Sequence, residues 1–279
     1  MFRPSSRRSL FSRRAAVVAS GLLSVLALAV ALPAEASSRP APPKPTVVFV
    51  HGAFADSSGW NDVMSSLRHD GYPVRAASNP LRGLAGDSAY VASFLQSIPG
   101  PIILVGHSYG GAVITNAAAG DADVKALVYV AAFAPDAGES LGELINRPVA
   151  HPIPALPLRP VTVTEPDGST GTDLYLDPAT FRATFAADVD PDTAANLAAT
   201  QRPVDAAGFT GVSGTPAWRT IPSWYLVATR DQALAPDLER FMAARAGAHT
   251  VEVRSSHVPM ISHPDTVTRL IERADRGTR

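Results

Sequence analysis

The chain has 279 residues, 46 % of them hydrophobic, and balances 24 Lys and Arg against 25 Asp and Glu for a net charge of -1. That length suits one large domain with its own core, and the balance leaves no basic footprint for nucleic acid or anionic lipid. No cysteine is present, which excludes disulfides, thiolate nucleophiles and Cys-ligated metal, and the seven histidines lack H-E-x-x-H or related spacing, so no metal is expected.

At the N-terminus Arg3, Arg7, Arg8, Arg13 and Arg14 precede any acidic residue, and an apolar or small-residue run follows from Ala15 to Leu32. Ala34-Glu35-Ala36 then has the small-x-small form of a signal-peptidase site. The pattern predicts an export signal over 1–36, a Pro-rich linker over 37–45 and one domain over 46–279. Ser6-Arg7-Arg8-Ser9-Leu10-Phe11 resembles a twin-arginine signal, which exports folded protein. A retained membrane anchor is the alternative, but the cleavage-like sequence and the prolines that follow favour release, hence a secreted protein without lasting membrane association. Removing five arginines and one glutamate with the signal moves the net charge from -1 to -5.

Downstream, apolar runs that read as buried strands alternate with helical segments, the pattern of a mainly parallel sheet covered on both faces. Strands are predicted over 47–50, 102–105, 126–130, 224–228 and 250–253. Trp60, Val63, Met64 and Leu67 make one helix face, and Tyr90, Val91, Phe94, Leu95 and Ile98 another with Asp87 as N-cap. Val267, Leu270 and Ile271 line the last helix. Between about 135 and 222 the rhythm breaks: Pro and Gly are frequent, and Asp177-Pro178 and Asp190-Pro191 mark the starts of two short helices, over 178–187 and 191–200. An insertion of this length that leaves and rejoins the sheet is expected to be a lid.

The most telling local pattern is Gly106-His107-Ser108-Tyr109-Gly110, between the run Ile102 to Val105 and the small-residue stretch from Gly111. Strand, sharp turn and helix present a serine at the apex, with glycines allowing strand and helix to cross closely. Serine needs a base, and the base needs a group that fixes its tautomer. Open α/β sheets place such groups at the carboxyl ends of strands. Asp231 follows the 224–228 strand and His257 the 250–253 strand, giving the chain order Ser108, Asp231, His257. Asp136 is the competing acid; Asp237 and Glu239 are expected on a solvated helix face. His51 and His107 are expected to brace turns, His263 to be structural, and His69 and His249 to lie on the surface. An oxyanion needs backbone donors, for which the N–H groups of Tyr109, after the serine, and Ala53, after the first strand, are the candidates. Phe54 is a candidate wall of the substrate pocket, as is Trp218.

His51-Gly52-Ala53, Gly106 to Gly111, Asp231 and His257 together resemble the α/β-hydrolase superfamily, and within it the branch of plant methyl esterases, hydroxynitrile lyases and secreted bacterial esterases. The resemblance runs from Thr46 to the final helix. It implies an α/β-hydrolase fold with an inserted lid, a triad of Ser108, Asp231 and His257, an oxyanion hole from Ala53 and Tyr109, and no cofactor. In the hydroxynitrile lyases of the branch a threonine stands in the first loop and a lysine directly after the catalytic histidine. Here those positions are Gly52 and Val258, which favours hydrolysis. The expected activity is that of an exported serine carboxylesterase on small to medium esters, a small-molecule partner, with feruloyl or other aryl-acid esters as the leading substrate by resemblance. A cofactor-free perhydrolase or haloperoxidase, or a ligand-binding protein that uses the scaffold without catalysis, are the alternatives.

Overall fold

The computed structural model describes residues 43–165 and 167–279; the expected export signal and most of the linker lie outside the described residues. Six strands form the main sheet: β1 Thr46–Val50, β2 Val74–Ala77, β3 Ile102–His107, β4 Val124–Val130, β8 Ser223–Ala228 and β9 His249–Val253. They run parallel in the order β2-β1-β3-β4-β8-β9. Every residue of β3 and β8 is buried, although successive side chains point to opposite faces, so helices cover both sides. Three further strands, β5 Leu158–Thr164, β6 Thr170–Leu176 and β7 Val204–Asp205, form a separate antiparallel sheet.

The helices are α1 Asn61–His69, α2 Leu84–Leu95, α3 Tyr109–Ala117, α4 Leu141–Ile145, α5 Phe181–Phe185, α6 Pro191–Thr200, α7 Ala207–Thr210, α8 Pro236–Arg245, α9 Pro259–Ser262 and α10 Pro264–Gly277. The amphipathic α10 buries Val267, Leu270, Ile271 and Ala274 against β3, β4 and β8 and also packs on α1. On α1, Val63 and Leu67 are buried, while Trp60 ends the single 3-10 turn before it.

The predicted N-cap of α2 requires correction. The helix begins at Leu84 behind Gly83, which at φ 142° adopts a backbone that side chains disfavour. Asp87 sits inside the first turn, and its carboxylate reaches back to the N–H groups of Arg82 (3.0 Å) and Gly83 (3.3 Å). It therefore caps from within, as the acidic residue of a capping box does. Tyr90, expected in the core, is 52 % exposed.

Between β4 and β8 lie α4 to α7, a 3-10 turn over Ala217–Arg219 and the small antiparallel sheet. Helix α6 starts as the Asp-Pro pair predicts, with Asp190 accepting from the N–H groups of Asp192 and Thr193. Asp177 instead closes a turn through Ala179 N–H, and α5 begins only at Phe181. The hairpin β5–β6 is not among the predicted strands: no residue of β5 is buried, and its only strand mark is the short β-branched run Val161 to Thr164.

Candidate active site

The chain leaves β1 for β2 on one side and returns to β3 on the other, so the strand order reverses between β1 and β3. In sheets of this kind the crevice at the carboxyl ends of such a pair receives ligands. The turn after β1 carries Ala53 and Phe54, and the turn after β3 carries Ser108. Ser108 is held at φ 52° and ψ -123°, a backbone that costs a residue with a Cβ of the order of 1–3 kcal/mol and persists only under surrounding packing. The packing is tight enough to demand glycine: a Cβ on Gly52 would lie 2.7 Å from the Ser108 Cβ, and one on Gly110 would lie 2.5 Å from the Val50 carbonyl.

At the ends of β8 and β9, Asp231 and His257 are buried and joined by a 2.5 Å hydrogen bond from Nδ1 to Oδ2. Asp231 Oδ1 accepts from the N–H groups of Ala233 (2.6 Å) and Leu234 (2.9 Å), which fixes the carboxylate. With its Nδ1 proton committed to Asp231, His257 keeps Nε2 free to act as a base. Its side chain and Ser108 line one pocket with Ala53, Phe54 and Tyr109. That pocket has about 20 Å³ of space, room for a single water.

Two backbone donors border it. Tyr109 opens α3, where the N–H groups have no intrahelical acceptor. Phe54 gives its N–H to the Arg202 carbonyl at 2.9 Å, whereas the Ala53 N–H has no acceptor among the described residues. The Tyr109 phenol is turned away to donate to Asp87 Oδ2 at 2.6 Å, and burial, with the Asp87 charge, pushes its pKa up.

The other sequence candidates occupy different positions. His51 gives its Nδ1 proton to the Gly52 carbonyl and accepts from Asn79 N–H at Nε2, so it is neutral; burial holds its pKa down. His107 donates Nε2–H to the His257 carbonyl at 2.8 Å, and burial followed by the neighbouring His257 pushes its pKa well below the usual imidazole range. Asp136 pairs with Arg219 at 2.5 Å, and Asp237 pairs with His151 and Arg240. Trp218 does not line the pocket and donates to the Pro135 carbonyl. His69 and His249 are exposed. The expectation for Glu239 is corrected: it is completely buried, packed in the first turn of α8 with Met242 and Ala243 on the same side.

Sequence reasoning also missed what covers the site. The Phe185 ring of α5 lies 4.9 Å from the His257 ring and 6.3 Å from the Phe54 ring. Just beyond it, Asp188 accepts from both the N–H and the hydroxyl of Ser256, the residue before His257. Burial works against its charge, but these hydrogen bonds prevail and hold the Asp188 carboxyl below its usual range. An Asp in a Pro-rich stretch gives no sequence signal for such a contact. Among the described residues, no cluster of three or more His, Asp or Glu side chains could hold a metal ion.

Comparison with known proteins gives a consistent family. A carbendazim hydrolyzing esterase of Nocardioides sp. (strain SG-4G) is 34 % identical over 113 residues, 36 % of this chain and about half (47 %) of that protein's length. The alpha/beta hydrolase nvfD of Aspergillus novofumigatus (strain IBT 16806) is 28 % identical over 257 residues, covering 83 % of this chain and 96 % of that protein. Among solved structures, polyneuridine aldehyde esterase superposes with a TM-score of 0.71 at 19 % identity (82 % of this chain, 98 % of that chain). The methylesterase MES16 from Arabidopsis gives 0.69 at 18 % (84 % and 99 %), and an extracellular alpha/beta-hydrolase from a Paenibacillus species 0.64 at 22 % (82 % and 98 %). The model of the alpha/beta hydrolase family matches residues 47–270, from β1 into α10, and the chain belongs to that family.

Proposed function

We propose that the protein is an exported serine carboxylesterase that works through an acyl-enzyme. His257 takes the Ser108 hydroxyl proton as the oxygen attacks the ester carbonyl, and Asp231 supports the imidazolium. The N–H groups of Ala53 and Tyr109 stabilise the oxyanion. His257 returns the proton to the departing alkoxide, and the acyl group remains on Ser108. Water, deprotonated by the same histidine, then releases the acid and regenerates the serine. The observation that carries this reading is the strained Ser108 sharing one pocket with a histidine whose Nδ1 is tied to a buried carboxylate.

The substrate is an uncharged ester of a small to medium acid, with feruloyl and other aryl-acid esters foremost. Pocket walls of Phe54, Phe133, Phe185 and Phe209 support an apolar or aromatic group. A neighbouring groove of about 420 Å³ shares Ile145, Leu156 and Ala233 with the pocket and offers space for the rest of the molecule. We read residues from about 135 to 222 as the lid, supported by Phe185 against His257 and Asp188 on Ser256. Export rests on the 1–36 pattern, and among the described residues no helix is long and apolar enough to cross a membrane.

The test is hydrolysis of p-nitrophenyl acetate, butyrate and decanoate and of methyl ferulate by wild type and Ser108→Ala. Turnover should fall by at least about 10³-fold in the variant on every substrate, with methyl ferulate the best substrate of the wild type. Equal turnover by the variant would overturn the assignment of the nucleophile. A preference confined to short acyl chains would overturn the aryl-acid reading and leave the mechanism standing.

A further inference from the structure

We infer that Glu239 carries a proton and donates it to Asp231, acting as a positioning residue for the Asp231–His257 pair; the inference rests on the reading of that pair given above. Glu239 projects from the first turn of α8 beneath the end of β8 and is fully enclosed. One carboxyl oxygen, Oε2, accepts from the Ala228 N–H at 3.2 Å. The other, Oε1, is buried with no hydrogen-bond partner among the described residues, and Asp231 is tied to the same residue of β8, its N–H donating to the Ala228 carbonyl at 3.2 Å, so that the Asp231 carboxylate acts on this carboxyl. Two ionised carboxylates only accept, so a hydrogen bond between them requires that one hold a proton.

The surroundings decide which. Asp231 accepts from Ala233 N–H, Leu234 N–H and His257 Nδ1, so its oxygens already serve three donors as acceptors. Glu239 accepts from one backbone amide. Arg240, next on α8, is turned outward to Glu252 at 2.8 Å and to Asp237 at 3.0 Å, and its charge opposes the rise least of the causes acting on Glu239. The Tyr225 phenol of β8 gives its proton to the Ala132 carbonyl, and burial, with Glu239 nearby, raises the pKa of that phenol. Burial first, and then the Asp231 charge, push the Glu239 carboxyl well above its usual range.

A proton on Glu239 has two consequences. It gives Asp231 a further fixed donor, so that Oδ2 stays aimed at His257. It also keeps one negative charge behind the imidazole in place of two.

The decisive experiment is the pH dependence of kcat/KM for p-nitrophenyl acetate in wild type, Glu239→Gln and Glu239→Leu, with Ser108→Ala and Asp231→Ala as controls and a thermal melt for each. Glutamine reproduces a neutral carboxyl: its amide N–H donates to Asp231 and its oxygen accepts from Ala228. Glu239→Gln should therefore keep kcat/KM within about three-fold and leave the acidic limb, which reports the base, where it is. Glu239→Leu should lose about ten-fold or more in kcat with KM little changed. An acidic limb displaced to lower pH by about half a unit or more in Glu239→Gln would mean that the wild type carries a second negative charge there, and would overturn the inference. So would a folded Glu239→Leu protein with wild-type kinetics. If Glu239→Leu does not fold, Glu239→Gln decides alone. Turnover surviving in both Ser108→Ala and Asp231→Ala would remove the underlying reading and the inference with it, whereas inert controls beside a displaced Glu239→Gln profile would overturn the inference alone.

Discussion

Backbone crowding around Ser108 sets a demanding local requirement. Gly52 shows how narrow the tolerance is, since a methyl group there would stand 2.7 Å from the Ser108 Cβ and 2.9 Å from the His107 carbonyl. Both obstacles are rigid, so the turn after β1 must shift. Gly52→Ala should cost about 1–3 kcal/mol and lower kcat/KM by about ten-fold or more, because it displaces the Ala53 N–H proposed to hold the oxyanion. Gly71 provides the control: its φ is 81° but no atom lies within 4 Å of an added Cβ, so Gly71→Ala should cost about 1–2 kcal/mol with unchanged kinetics. Urea midpoints and kcat/KM measured on both variants separate strain from function. The same scale shows where residue patterns inform and where they fail. Ser108 and Asp231 stand just after the buried apolar strands β3 and β8, which makes their neighbourhood legible, whereas His257 follows the short, half-polar β9. Glu239, like Asp237, reads as a residue of a solvated helix face. Its spacing of three and four from Met242 and Ala243, both buried, was the signal that it faces inward.

Among the elements, the central strands are legible for a physical reason: strands covered on both faces become unbroken apolar runs, as in Ile102 to Val105 and Trp224 to Ala228. Edge and surface strands lack that mark. β2 carries the exposed Arg75, and β5 buries nothing. Contacts between distant segments leave no local trace either, and the Asp188–Ser256 link, 68 residues apart in the chain, is the functional example. Removing it by Asp188→Ala should cost about 1 kcal/mol near neutral pH. The folded carboxyl titrates below its unfolded value of about 3.9, so its contribution is complete above that pH and disappears as pH falls through the lower folded value. Thermal unfolding of both proteins should therefore show a Tm gap at pH 7 that closes toward pH 3. A gap independent of pH would assign the effect to packing.

For the molecule as a whole, the two sheets perform different tasks. The parallel sheet, clasped by α10 and α3, holds the loop ends in place. The segment from 131 to 222 supplies Phe133, Ile145, Leu156, Phe185 and Phe209 to the pocket. The fold class follows from the alternation of elements along the chain, whereas the shape of that pocket does not, because its walls come from short segments whose order in the sequence says nothing about which side chains converge.

A pocket of about 20 Å³ around a serine that is 8 % exposed leaves no room there for a reagent larger than a water. With the segment over the site acting as the proposed lid, a bulky fluorophosphonate should reach Ser108 only when that segment lifts, and labelling should follow the kinetics of amide exchange from a protected site. At low reagent the rate should rise in proportion to concentration, scaled down by the fraction of time the site is open. At high reagent it should level off at the opening rate itself, and that plateau should be the same for reagents of different intrinsic reactivity.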